Sequence, residues 1–472
     1  MSEQTDAIVV GSGPNGLSAA IVLAKAGLSV LLVEGAPNLG GSVRSANLTL
    51  PGFLHDVCSA VYPMGIASPY WKQLPLQEHG LEWIQPHYPF AHPLDNGTAV
   101  IQERSIEGTA ERLGEDSRSY LKLMQPLVRK SEILFKELVG PFRIPRHSLT
   151  AMKFGLPALR SGAGLARFYF KETPAQALWS GLAAHAVLPL EMRPGSAIAL
   201  MLGIAGHAVG WPIVKGGSRN LTEALASYFR FLGGKIETDR YVKSYSEVRG
   251  YRLALFDVGP HQLEKILGEH CPPRYARTLK KYRYGPGVCK VDWALSAPIP
   301  WKAAECRVAG TIHVGGTLEE VCLSESEAWK GVHSERPFVM LGQPTINDPN
   351  RAPSGQHTAW GYCHVPNGSS VDMTERIESQ VERFAPGFRE TILARYTRIS
   401  SSWDSYNPNL VGGDIVGGVA DLYQLFARPA LRWNPYSTPL PGVFICSASS
   451  PPGAGVHGLC GYYAAHSALK SL

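Results

Sequence analysis

The sequence predicts an α/β fold of two interleaved domains, and three observations carry that prediction. The chain opens on an apolar run, Asp6-Ala7-Ile8-Val9-Val10, followed at once by the glycine loop Gly11-Ser12-Gly13-Pro14-Asn15-Gly16. It closes on a second strand–loop–helix pattern, with an apolar stretch from Gly442 to Ser447, a glycine-rich segment to Gly458 and a helix over Leu459–Leu469. At 472 residues it is also longer than one hydrophobic core serves.

Residues 6–10 are apolar without alternation, as in a strand buried on both faces of a parallel sheet. A helix of small residues is expected over Leu17–Ala26, closed by Gly27, and then a second strand over Leu28–Val33 ending at Glu34. This βαβ unit holds a G-x-G-x-x-G loop, which makes the first domain Rossmann-type. Gly11 permits the turn, Gly13 lets backbone approach a pyrophosphate, and Gly16 packs the helix against the sheet. Pro14 and Asn15 complete the loop at the helix start, where free N–H groups and the helix dipole face an anion. Ser12 is expected to need only a permissive backbone. Glu34 stands where a ribose hydroxyl would sit.

Composition narrows the class. Hydrophobic residues are 44% and charged residues 18%, ordinary for a globular protein with a sizeable core. The net charge is +6 with no basic run, which argues against a nucleic-acid binder. None of the eight cysteines forms a C-x-x-C pair, so free thiols in a reducing compartment and no metal site are expected. A first strand so near the start leaves no room for a targeting peptide, and a cytoplasmic location is expected. The uncharged stretch Gly195–Val214 is as long as a bilayer-spanning helix, but its glycines and Pro212 point to a buried or substrate-lining segment.

Glu34 is followed by Gly35-Ala36-Pro37-Asn38-Leu39-Gly40-Gly41-Ser42-Val43-Arg44. This block resembles the GG-x-x-R signature of the FAD-dependent amine oxidase and phytoene desaturase superfamily. The chain as a whole resembles a phytoene desaturase-like flavoprotein, of the branch that includes the pyridine nucleotide-disulphide oxidoreductase domain-containing proteins. Gln343-Pro344-Thr345 with Asp348-Pro349, Gly412-Gly413-Asp414-Ile415, Arg428-Pro429 and Pro452 to Gly458 are further matching blocks. The superfamily often carries an arginine two places after the acid, where this chain has Ala36.

The resemblance implies FAD as cofactor. It implies that Gly40, Gly41 and Arg44 support the ribityl and pyrophosphate region. The backbone at Val242, at the end of an expected strand over Lys235–Val242, would meet the adenine. Gly455, Val456 and Gly458 would aim the last helix at the flavin. The fold class that follows is a discontinuous Rossmann-type FAD-binding domain (1–70, 210–260 and 420–472) plus an α+β substrate domain with a mixed or antiparallel sheet (71–209 and 261–419). Strands are expected at Val288–Leu295, Val308–Val314 and Phe338–Gln343, and a helical pattern over 371–394 broken at Pro386-Gly387.

Lys290 and His457 are the candidate catalytic residues. The strand around Lys290 resembles the amine oxidase strand whose lysine reaches flavin N5 through a water; the alternative is a lysine on the solvent face of an edge strand. His457 is either a base or donor near the ring or a histidine bonding backbone in a crowded turn. His55-Asp56 are weaker candidates for the flavin's other side. The expected activity is hydride removal from a largely apolar small molecule. A reductase or isomerase of a conjugated isoprenoid, or a flavin-bearing interaction module, are alternatives. Segment 151–172 mixes basic and apolar residues, which suits a lid, a channel wall or peripheral membrane contact.

Overall fold

The computed structural model describes residues 5–472. The strands of its two main sheets are, in chain order, β1 (Ala7–Val10), β2 (Val30–Val33), β3 (Tyr88–Pro93), β4 (Ala99–Gln102), β5 (Lys235–Glu237), β6 (Leu253–Phe256), β7 (Gly287–Leu295), β8 (Ala309–Val314), β9 (Val339–Gly342), β10 (His357–Val365), β11 (Ile392–Arg398) and β12 (Val443–Ile445). The helices around them include α1 (Pro14–Lys25), α2 (Ser148–Ala158), α3 (Gly162–Tyr169), α4 (Thr173–Ala184), α5 (Arg219–Phe231), α6 (Leu318–Trp329), α7 (Thr374–Phe384), α8 (Leu422–Ala427) and α9 (Leu459–Leu469).

The first sheet is five-stranded and wholly parallel, in the order β12-β6-β1-β2-β5. Strands from the start, middle and end of the chain therefore pair side by side. Every residue of β1 and β2 is buried, as their unbroken apolar runs require. Helices α1 and α9 lie so close that a Cβ at Gly461 would strike the Asn15 carbonyl. Two expected strands are shorter than their apolar patterns. β2 begins at Val30, and β5 stops at Glu237 rather than running to Val242. Asp239 turns left-handed there (φ 55°), and the Arg240 N–H bonds back to the Glu34 carbonyl at 2.9 Å.

The second sheet is seven-stranded and mixed, in the order β11-β7-β10-β9-β8-β3-β4, with only the β8–β3 junction parallel. Its two faces differ. Cys289, Val291, Trp293, Ile312, Leu341 and Cys363 point to the back, into an apolar core that α7 covers. The alternate residues point to the front, toward the nucleotide-binding sheet and under α4 and α6. Where one interrupted helical pattern was expected over 371–394, α7 ends at Phe384 and the chain re-enters the sheet as β11.

Gly195–Val214 divides into a helix over Ser196–Ala208 and a two-residue strand, Ile213–Val214. Among the described residues no helix is long and apolar enough to cross a membrane. Segment 151–172 is two helices, α2 and α3, broken at Ser161, whose hydroxyl caps α3 by accepting from the Gly164 N–H. All eight cysteines are free thiols, and all but Cys58 are buried.

Candidate functional site

The glycine loop between β1 and α1 is held by side chains that its pattern did not advertise. Ser12, fully buried, donates its hydroxyl to Glu34 at 2.5 Å and accepts from the Gly40 N–H at 3.0 Å. Its own N–H also reaches Glu34, at 3.0 Å. Ser12 is thus more than a permissive backbone position, because it ties two cofactor-binding candidates, Glu34 and Gly40, to the glycine loop. The other oxygen of Glu34 accepts from the Ala36 N–H at 2.9 Å and lies 3.4 Å from the Arg44 guanidinium. Arg44 therefore brings a cation to Glu34 although residue 36 is an alanine.

Asp257, at the end of β6, faces the same loop. Its carboxyl accepts from the Gly16 N–H at 2.9 Å, and a Cβ at Gly13 would meet it at 2.5 Å. The space beside Gly13 is filled by an acid, so the glycine is required by Asp257 as well as by any ligand. Burial pushes the Asp257 carboxyl up to about 7, opposed by the Gly16 N–H and reinforced by the charge of Glu34. A carboxyl that holds its proton near neutrality can stand beside a phosphate without charge repulsion.

These features fit a dinucleotide. Gly11, Gly40 and Gly41 all have positive φ, and a Cβ added at Gly41 would lie 3.4 Å from the Gly13 Cα. The side-chain oxygen of Asn15, at the α1 N-terminus, is buried with no hydrogen-bond partner among the described residues. Pro14 opens the helix as its first residue. Val242 lies past the end of β5 and is buried in the apolar cluster with Ile8, Val33 and Phe256.

At the other end of the chain, Gly453, Gly455, Val456 and Gly458 all take positive φ in the loop leading to α9. His457 sits inside that loop. Its Nδ1 accepts from the Leu459 N–H at 3.1 Å, its carbonyl accepts from Ser68, and burial holds the ring down to about 4. These contacts make His457 a neutral acceptor at the start of α9.

Lys290 is 2% exposed in β7, which runs between β10 and β11, so the solvent-facing edge position is excluded. Its ammonium donates to the Asp56 carbonyl at 3.1 Å and pairs with Asp292. Burial lifts Asp292 to about 6 against the pull of Lys290. The Asp56 carboxylate pairs with Arg351 and accepts from the Ser218 N–H and the Ser45 hydroxyl, both at 2.7 Å. Arg351 in turn donates to Asp348 at 2.9 Å, and Asp348 accepts from the Gly216 N–H at 2.7 Å. His55 lies 3.7 Å from Asp292, held down to about 3 by burial and by Lys290. One buried network thus joins the segments at 45–56 and 214–218 to the second sheet, and Lys290, Asp56 and His55 belong to it together. Sequence reasoning missed Arg351; the Asp348-Pro349 block beside it was the available signal.

The front of the second sheet extends this polar character. Across from Val288, Lys290 and Asp292 on β7 stand His364, Tyr362 and Trp360 on β10, with Trp360 and Tyr362 stacked. Glu325 of α6 accepts from His364 Nδ1 at 2.7 Å, and both side chains are 1% exposed. His364 Nε2 has no partner among the described residues, nor do Thr311 Oγ1, His313 Nδ1 and His92 Nδ1 on the same face. His313 is 3.1 Å from His185 at the end of α4, and burial holds His185, His92 and His313 all well below the ordinary histidine range. Buried polar atoms are normally satisfied by protein or by ordered water, so a row without protein partners sets this face apart from the apolar back of the sheet. No motif flagged these residues, because they come from five separated elements.

Comparison with known proteins agrees with this architecture. The NAD(P)-binding Rossmann-like domain family matches residues 9–74. Pyridine nucleotide-disulfide oxidoreductase domain-containing protein 2 of Rattus norvegicus is 25% identical, over 100% of this chain and 94% of its own length. An oxidoreductase from Methanosarcina mazei superposes with a TM-score of 0.66 at 16% identity, covering 98% of this chain and 99% of that one. Cyclohexylamine oxidase from Brevibacterium oxydans IH-35A superposes with a TM-score of 0.61 at 15% identity, covering 99% and 98%. With the parallel nucleotide sheet, the glycine loop and the mixed second sheet, the chain is similar along its whole length to a pyridine nucleotide-disulfide oxidoreductase domain-containing protein and shares the fold of these solved oxidoreductases.

Proposed function

We propose that the chain binds FAD and removes a hydride from a largely apolar organic molecule that carries one polar, proton-bearing group. The observation that carries this reading is the front face of the second sheet, where aromatic walls surround buried polar atoms that lack partners. FAD, when bound, supplies the hydride acceptor. Gly11, Gly13, Asn15 and Gly16 would hold its pyrophosphate, Glu34 with Arg44 its ribose, and the loop at Gly455–Gly458 with the α9 N-terminus its ring.

The chain's own residues do the rest. Lys290 keeps a cation at the junction of the two sheets, where it favours negative charge on a neighbouring group. Glu325 fixes the proton of His364 on Nδ1, which leaves Nε2 as an acceptor. That nitrogen would take the proton that leaves as a substrate C–H bond gives up its hydride. Trp360 and Tyr362 exclude water and stack against apolar substrate.

The test is an anaerobic screen for flavin bleaching with cyclohexylamine, cyclic isoprenoids and alicyclic acids, with release of the cofactor by denaturation. Released FAD, and bleaching by compounds that pair an apolar ring with an amino or hydroxyl group, are expected. A cofactor other than FAD would overturn the reading, as would a bound flavin that dithionite reduces but no compound in the screen does.

A further inference from the structure

Helix α2 is apolar on two opposite sides. Phe154 and Ala158 point inward, whereas Leu149, Met152 and Leu156 form an outward stripe at helical spacing and are all exposed. A helix in contact with water on one side ordinarily shows a polar face there. The stripe continues through Phe142 and Ile144, which are 83% and 87% exposed, in the loop before α2 and through Phe168 on α3. A second exposed group adjoins it from a distant part of the chain. The Phe142 ring meets Phe426 of α8 edge-on at 5.8 Å, and Tyr423, Leu431 and Trp433 follow, all exposed. An exposed apolar surface this continuous marks an interaction site.

The main segment of this surface is one-sided in charge along the sequence, although Glu137 pairs with His147 at 2.7 Å and Glu319 lies 3.8 Å from Arg167. From Val139 to Lys171 the chain carries Arg143, Arg146, Lys153, Arg160, Arg167 and Lys171 and not one Asp or Glu. Lys153 lies within the α2 stripe, and Arg160 stacks over Phe168 at 3.9 Å. Long basic side chains beside exposed aromatic and aliphatic ones match a lipid–water interface, with apolar groups reaching the acyl boundary and cations among the phosphates. A second copy of this surface would bring the same cations against each other, which disfavours self-association.

We propose that the surface formed by α2, α3, the loop before α2 and the α8 segment docks on an anionic membrane surface. The proposal is independent of the redox reading. It requires no spanning helix, since the exposed side chains lie on short helices and loops. Arg428, just beyond α8, reaches toward the Ala448 carbonyl and adjoins Gly453 in the loop leading to α9. The docking surface is therefore tied to the C-terminal glycine loop.

The test is co-sedimentation of the full-length protein with vesicles of phosphatidylcholine, with and without phosphatidylglycerol. The protein is expected to pellet with phosphatidylglycerol vesicles and to be released by high salt, because surface cations act through a screened attraction. Phe142→Asp/Ile144→Asp should weaken binding about tenfold or more, the scale of losing one or two inserted apolar side chains. Arg146→Glu/Lys153→Glu should weaken it comparably, and both variants should keep the wild-type melting temperature. Wild-type protein left in the supernatant with phosphatidylglycerol vesicles would overturn the proposal. So would pelleting of both variants equal to that of the wild type, or a concentration-dependent dimer that Phe142→Asp/Ile144→Asp abolishes in protein that ignores vesicles.

Discussion

The Ser12 hydroxyl donates to the Glu34 carboxylate at 2.5 Å, and through that bond the turn after β1 is locked to the turn after β2. The same hydroxyl accepts from the Gly40 N–H, so one small side chain sets the spacing of the glycine loop, the acid and the glycine pair. Ser12→Ala leaves the buried Gly40 N–H without its partner and Glu34 with one donor fewer, a loss of roughly 1–3 kcal/mol for the unpaired N–H. FAD affinity of the apoprotein, measured by titration, should fall about tenfold or more while the fold persists. Unchanged affinity would mean that Glu34 and Gly40 hold their places without it.

Gly13 and Asp257 form a second coupled pair, since a Cβ on residue 13 meets the carboxyl at 2.5 Å. Gly13→Ala is expected to lower both stability and FAD binding. Adding Asp257→Ala to Gly13→Ala should recover part of the stability, because the clash is removed. A double-mutant cycle would then show coupling of about 0.5–3 kcal/mol. Additive effects would show that Gly13 is required for some reason other than Asp257.

Asp257 also makes apoprotein stability depend on pH. Its carboxyl stands at about 7 in the folded chain against an ordinary value of 3.8. Between those values the folded chain keeps a proton that the unfolded chain has released. The stabilisation is thus fully present below about pH 4 and is lost as pH rises through about 7. The total is on the order of 4 kcal/mol. Asp257→Asn removes this dependence, so the variant should gain on the wild type between pH 4 and 8 in melting experiments. Parallel curves for the two proteins would show that the carboxyl titrates normally.

Lys290 and Asp292 neutralise each other in the interior. Lys290→Met strands a buried acid and should cost about 3–5 kcal/mol. Lys290→Met/Asp292→Asn removes both charges and should regain most of that stability. If Lys290 also acts on the bound flavin, the double variant will stay slow in reoxidation or reduction by stopped flow despite its recovered fold. Recovery of both stability and rates would assign the lysine to architecture alone.

Glu325→Gln leaves His364 in place but removes the carboxylate that holds its Nδ1 proton. Histidine-labelled NMR of the full chain should show the Nδ1–H form in the wild type and a mixed tautomer in the variant. Any substrate found by the bleaching screen should reduce the flavin about tenfold or more slowly in Glu325→Gln, the lower range of general-base effects. Identical tautomers and rates would exclude the pair from proton transfer.

What was legible in the sequence was local. The loop Gly11–Gly16 lies between a buried strand and a helix, the last helix spans Leu459–Leu469, and β7 covers the Lys290 run, because each follows from nearest-neighbour periodicity and from glycine's freedom at positive φ. The end of β5 at Glu237 was not legible, since a left-handed Asp239 and a bond from Arg240 to the Glu34 carbonyl stop it. Nor were the partners of the buried charges. Asp257 lies 241 residues from the Gly16 N–H that it accepts from, and Arg351 lies 295 residues from Asp56. His364 and Glu325 look like an ordinary strand histidine and an ordinary helix acid until β10 and α6 are packed together. Sequence by itself determined which backbone could turn, cradle a phosphate or cross a buried sheet. Only the tertiary structure decided which polar side chains meet in the dry interior, because the low dielectric there makes every charge depend on a partner brought from elsewhere in the chain.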